Sequence, residues 1–216
     1  MIEYNIPKSA VVFEEEIKKS RFITYLRHTE GIAEAKIFWQ EIKELHPNAR
    51  HHCWATVAGS PIDSQQFGFS DDGEPAGTAG KPMLSVLQGS DIGEISAVIV
   101  RYYGGVLLGT GGLVRAYSNG VQQALLNLET TLKVQYKNYK LRSDYTQINW
   151  LKLLFEKYEI LVIGQMYSEK VDFELGIRDD KLNIFEQEII ERSSGQLQLK
   201  ESNLCEYYRL SELSVS

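Results

Sequence analysis

The stretch from Arg101 to Tyr117, RYYGGVLLGTGGLVRAY, constrains the fold more than any other part of the chain. An apolar, β-prone run from Ile95 to Val100 leads into it, five glycines lie between Gly104 and Gly112, and an amphipathic pattern continues to Leu128. That order predicts a strand over Ile95 to Arg101, a glycine loop, and a helix over Leu113 to Leu128. A helix start leaves backbone N–H groups without intrahelical partners and carries a partial positive charge, so a glycine loop ending there can receive an anion. Arg101 and Arg115 bracket the loop. The competing reading is that the glycines only make a tight strand-to-helix turn and let backbones pack closely.

The familiar nucleotide loops do not fit. Gly104 and Gly109 have the glycine spacing of a Walker loop, but Thr110-Gly111 stands where Lys-Ser/Thr is required, and no G-x-G-x-x-G follows. No cofactor is assigned. Tyr102, Tyr103 and Tyr117 flank the loop, and an arginine-tyrosine surface can pair with phosphate and stack on an unpaired base. Strand alternation puts Tyr102 and Tyr103 on opposite faces, so roughly one exposed tyrosine is expected.

Upstream, Ala10 to Ile17 and Ser20 to His28 read as a hairpin turning at Lys18-Lys19. Ile32, Ala35, Phe38, Trp39, Ile42 and Leu45 recur at helical spacing until His46-Pro47, and Cys53 to Gly59 reads as a strand. The segment Ser70 to Pro82, SDDGEPAGTAGKP, is a long loop of the kind that carries function, followed by a short helix from Met83 to Gln88. Beyond Thr131 the pattern is strand, helix, hairpin, helix, strand. That βαββαβ order matches a split-βαβ, ferredoxin-like domain and divides the chain into residues 1–132 and 133–216. The fold class is α+β.

Hydrophobic residues at 43% and charged residues at 24% belong to a globular chain, and the net charge of -6 argues against coating nucleic acid through bulk positive charge. No run approaches the about 18 apolar residues of a membrane span, no signal peptide is visible, and Cys53 and Cys205 have no metal or disulfide spacing. A cytoplasmic protein with reduced thiols is expected, with no membrane partner. Asp71, Asp72 and Glu74 could hold a divalent ion, but the same residues make solvated turns. Adjacent His51, His52 and Cys53 point to alternate faces of a strand, which disfavours a metal or a nucleophile there. Lys133, Lys137, Lys140 and Arg142 beside Tyr136 and Tyr139 read either as a basic contact for nucleic acid or protein, or as protection of an edge strand.

Three collinear segments, HHCWA at His51 to Ala55, FSDDGEPAGTAGKP at Phe69 to Pro82 and RYYGGVLLGTGGLVRAY, resemble the IMPACT/YigZ family over roughly residues 18 to 128. The tail after Lys133 looks like the smaller C-terminal domain of bacterial members. The resemblance implies an N-terminal α+β domain similar to domain IV of elongation factor G and a C-terminal domain similar to domain V of the same factor. It also implies contact with RNA, the ribosome or translation factors, and regulation of protein synthesis. Eukaryotic members bind the activator of an initiation-factor kinase and carry an additional RWD domain, for which this chain has no room before the shared core. The family offers no catalytic residue to carry over, so none is assigned, and no metal site is assigned. Lys81, Arg101, Thr110, Gly111, Gly112 and Arg115 are the candidate anion- or nucleic-acid-binding residues. Two alternatives stand beside this reading. One is an enzyme or binding protein for a small phosphorylated or anionic ligand at Gly109–Gly112, with Asp71 or Asp72 holding a metal. The other is a pure protein-interaction module.

Overall fold

The computed structural model describes residues 3–209, and the side chains of residues 3–202. The chain mixes helices and sheets in two compact units, one of residues 4–132 and one that takes in Glu3 and residues 133–209.

After β1 (Glu3–Pro7), the larger unit runs β2 (Val11–Ile17), β3 (Ser20–His28), α1 (Gly31–Leu45), β4 (His51–Val57), β5 (Phe67–Ser70), α2 (Gly80–Gln88), β6 (Ile95–Tyr102) and α3 (Thr110–Leu126). Its sheet has the order β2-β3-β6-β4-β5 and is antiparallel throughout. β6 lies in the middle and is buried from Ile95 to Arg101. Both of its faces are covered, which is why its apolar residues run almost without interruption instead of alternating with polar ones. Ile95, Ala97 and Ile99 pack with Phe22, Leu26, Met83, Leu87, Tyr117 and Val121 on the side of α2 and α3. Val98 and Val100 pack with Ile23, Phe38 and Ile42 on the side of α1.

Close approaches fix this arrangement. A Cβ at Gly120 would stand 2.6 Å from Thr24 Oγ1, so α3 sits on the sheet at a distance only glycine permits there. The β2–β3 hairpin turns on Lys18 and Lys19, both at positive φ, as a two-residue turn of matching twist requires. Three more segments differ from the pattern-based expectation. β1 is not among the expected strands, although Glu3, Tyr4, Asn5 and Ile6 alternate exposed and buried, and Tyr4 anchors it by donating its hydroxyl to Glu94 Oε1 at 2.8 Å. α2 starts at Gly80 instead of Met83, and α3 starts at Thr110 instead of Leu113. Thr110, Gly111 and Gly112 are therefore the first helical turn, entered from Gly109 at φ 76°, and not part of the loop.

The smaller unit runs β7 (Thr130–Ser143), α4 (Ile148–Lys157), β8 (Leu161–Tyr167), β9 (Val171–Ile177), α5 (Asp179–Arg192) and β10 (Lys200–Arg209). Antiparallel pairing in the order β10-β7-β9-β8 gives the split-βαβ topology its element order predicts. Leu151, Leu154, Phe155, Phe185 and Ile189 of the helices pack against Tyr139, Leu141, Phe173 and Leu175 of the sheet. The two helices are also tied by a polar cluster, in which Glu188 accepts from Lys157, Arg192 and the Tyr158 hydroxyl.

These donors, Lys157 foremost, hold the Glu188 carboxyl down at about 2. A carboxyl lowered in the folded state contributes stability above its ordinary value near 4.5, and that contribution disappears as pH falls towards about 2. Glu188→Gln is expected to flatten the fall in melting temperature between pH 5 and pH 2 relative to the parent chain, measured by thermal denaturation across that range.

Candidate functional site

The loop between β5 and α2 is folded around one carboxylate. Asp71 Oδ1 accepts the N–H groups of Ala79 at 3.0 Å and Gly80 at 2.9 Å, and Oδ2 accepts that of Gly77 at 2.8 Å. α2 has no capping side chain at Ala79, so Asp71 supplies the negative charge and the acceptors its first turn needs. Asp72 Oδ2 accepts the His52 N–H at 2.7 Å, and the Asp72 carbonyl bonds the His51 ring at 2.8 Å. These acids tie the loop to its own backbone and to β4. Among the described residues no group of three or more His, Cys, Asp and Glu is placed to hold a metal.

Glu74, the third acid of the loop, turns inward to Arg101. Arg101 Nη1 donates to Glu74 Oε1 at 2.7 Å, and the Tyr117 hydroxyl donates to the same oxygen at 2.8 Å. Arg101 Nη2 also reaches Ser20 Oγ at 3.4 Å. The Arg101 and Glu74 side chains are only 6% and 3% exposed, so the charge of Arg101 is neutralised inside the fold and not offered to solvent. The expected place of Arg101 in an anion site is corrected by this geometry: its position on β6 shares the parity of Ile95, Ala97 and Ile99, which face α3. Cys53 lies in the same cluster, its thiol donating to the Asp71 carbonyl at 2.9 Å. Burial pushes that thiol far above its ordinary range, and it stays protonated and unreactive.

Above this cluster the chain is exposed. Gly104 presses on the β2–β3 turn, where an added Cβ would stand 1.9 Å from the Lys19 carbonyl oxygen. Tyr103 is 43% exposed and Leu107 81% exposed, whereas Tyr117 is fully buried and Tyr102 half-buried, so one tyrosine of the three opens to solvent. Thr110 and Gly111 are exposed on the first turn of α3, which has no side-chain cap, and Arg115 is exposed one turn on with its Nε donating to the Gly111 carbonyl at 3.2 Å. Lys81 lies elsewhere, on α2, where it lines an open groove of about 980 Å³ with Val114, Ser118 and Gln122 of α3. Among the described residues it is the only charged one lining that groove. The structure thus places Thr110, Gly111, Gly112 and Arg115 together on the start of α3, puts Lys81 on the neighbouring helix α2, and withdraws Arg101 beneath.

The basic strand of the smaller unit is neutralised. Lys137 pairs with Asp179 at 2.9 Å, Lys140 with Glu174 at 3.7 Å and Arg142 with Asp172 at 2.7 Å. β7 is also not an edge, since β10 and β9 flank it, so protecting an edge does not explain these residues. A cluster with no counterpart in the sequence motifs lies on the α1 side, where His46 bonds the hydroxyls of Tyr25 at 2.6 Å and Tyr102 at 2.9 Å. Desolvation lowers the His46 value, so this link between α1, β3 and β6 is held by a neutral imidazole at neutral pH. Only the spacing of His46 after a helical run signalled it.

Residues 18–125 match the family pattern described as the Impact N-terminal domain, and residues 141–196 match one described as a domain of unknown function, DUF1949. The chain is 63% identical over 197 residues to an IMPACT family member of Haemophilus influenzae, covering 91% of this chain and 96% of the relative. It is 51% identical over 199 residues to the IMPACT family member YigZ of Escherichia coli K12, covering 92% and 98%. A crystal structure described as that of a hypothetical protein, 51% identical, aligns with a TM-score of 0.66 over 92% of this chain and 97% of its own.

The buried ion pair generates a stability prediction. Removing one partner of a buried pair leaves the other charge uncompensated and costs about 3–5 kcal/mol. Arg101→Ala is expected to lower the unfolding free energy by that order in urea titrations, and Arg101→Lys to recover only part of it, because an ammonium cannot serve Glu74 and Ser20 with a planar fork.

Proposed function

The chain belongs to the IMPACT family, and from that premise we propose that it is a translation-associated binding protein that contacts the phosphate backbone of RNA, free or in the ribosome, and has no catalytic step of its own. The observation that carries the reading is the first turn of α3. There Thr110, Gly111 and Gly112 stand without a side-chain cap at the positive end of a 17-residue helix, beside the exposed Arg115. Glycine leaves the backbone open to a large anion such as a phosphodiester, which a side chain at Gly111 would crowd. Lys81 adds a cation on α2, and among the described residues no carboxylate lines the groove it shares with α3. A local cationic surface of this kind is compatible with the net charge of -6, because a few phosphate contacts need no excess over the whole chain.

Support for the absence of catalysis is chemical. The one cysteine with a described side chain is buried and protonated, and the nearby carboxylates are engaged by backbone N–H groups or by Arg101. No described helix is long and apolar enough to cross a membrane. Residence in the cytoplasm belongs to the same proposal.

Affinity for a structured RNA, measured by fluorescence anisotropy across salt concentrations, is expected to fall with rising salt. Arg115→Ala and Lys81→Ala are each expected to weaken binding to every sequence tested and to reduce the slope of log affinity against log salt by about 1. Unchanged affinity and slope in both variants would sink the reading and leave a protein-interaction module in its place.

A further inference from the structure

Beneath Tyr103 the structure holds a stack. The Arg101 guanidinium carbon lies 5.5 Å from the centroid of the Phe22 ring and 5.5 Å from that of the Tyr103 ring. Phe22 is 1% exposed and forms the inner end, and Tyr103 is 43% exposed and forms the outer end. The guanidinium between them is fixed by Glu74 and Ser20. Tyr103 is thus an exposed ring whose inner face is already occupied and whose base cannot shift freely. Gly104 and Gly105 follow it, so no side chain rises from the next two positions.

We propose that Tyr103 is a stacking platform for an unpaired purine base of RNA. This rests on the RNA-contact reading and gives it a substrate class: single-stranded or flipped-out nucleotides. A planar base has a π-face that can lie on the tyrosine, which is how most recognition of unpaired nucleotides gains affinity. The cation on the inner face also decides what suits the outer one. Arg101 draws electron density from the ring, so the outer face disfavours a second cation such as a methylated lysine and favours an electron-rich planar ring. Ordering cost is low, because the buried ion pair holds the platform in place before any ligand arrives. Tyr103 belongs to the same Arg101–Tyr117 stretch as the phosphate-contacting turn of α3 and needs no side chain from it.

The test uses the full chain and a short RNA carrying 2-aminopurine, first as a single strand and then in a blunt duplex. Wild-type protein is expected to quench the single-strand fluorescence by stacking and to prefer the single strand. Tyr103→Leu is expected to abolish the quench and weaken single-strand binding roughly 5- to 100-fold, with duplex binding unchanged. Tyr103→Trp is expected to keep both. Since Tyr103 is exposed, unchanged melting temperatures will show that the variants fold. If folded Tyr103→Leu quenches and binds the single strand as wild type does, the platform is overturned, while salt-dependent binding through Arg115 stands. If wild type binds neither RNA at low salt, the phosphate-contact reading fails and the platform with it.

Discussion

The pairing of Arg101 with Glu74 is the constraint on which the larger unit depends. A guanidinium at the end of a fully covered central strand is costly to bury, and the cost is offset because Glu74 and Ser20 accept its hydrogen bonds while Tyr117 donates to the same Glu74 oxygen. Glu74 can reach it only if the loop after β5 is folded, and that loop is folded by Asp71. Tyr117 can reach Glu74 only if α3 lies close to the sheet, which Gly120 permits. The three motif segments of the family therefore converge on one interior cluster. Their length and collinearity follow from this shared packing duty as much as from any ligand.

Much of the fold was legible in the sequence. The β2–β3 hairpin, α1 and the βαββαβ order came from apolar spacing alone, because each presents one face to a core. Arg101 was not legible as a buried residue when judged by its nearness to the glycines. Its parity with Ile95, Ala97 and Ile99 carried the signal, and a charge at an inward position calls for an acidic partner, which Glu74 in the SDDGEP loop supplies. Tyr103 resisted prediction for the opposite reason. β6 ends at Tyr102, so alternation no longer governs the next residue, and only the fold shows which of the two tyrosines opens outward. Lys137, Lys140 and Arg142 could not be judged without β9 and α5, whose carboxylates lie more than 25 residues away in sequence.

The division of labour between acidic loop and glycine loop also reads differently in three dimensions. Side by side in sequence logic, one looked like a cation site and the other like an anion site. In the fold the acids face the backbone and Arg101, and the surface left to solvent is glycine N–H groups, Arg115, Tyr103 and Leu107. Negative charge inside thus leaves a polar and weakly cationic exterior at the start of α3 without any excess of basic residues.

The strand order β2-β3-β6-β4-β5 carries a consequence for how the chain assembles. β2 with β3 and β4 with β5 are local antiparallel pairs, but neither pair touches the other except through β6, which is the last of these strands to be synthesised. β3 meets β6 across more than 60 residues of intervening chain, so a large loop must close before the two hairpins share a sheet. Neither pair can therefore complete the sheet before residues 95–102 have been made, and α3, which covers the face that β6 completes, follows directly behind.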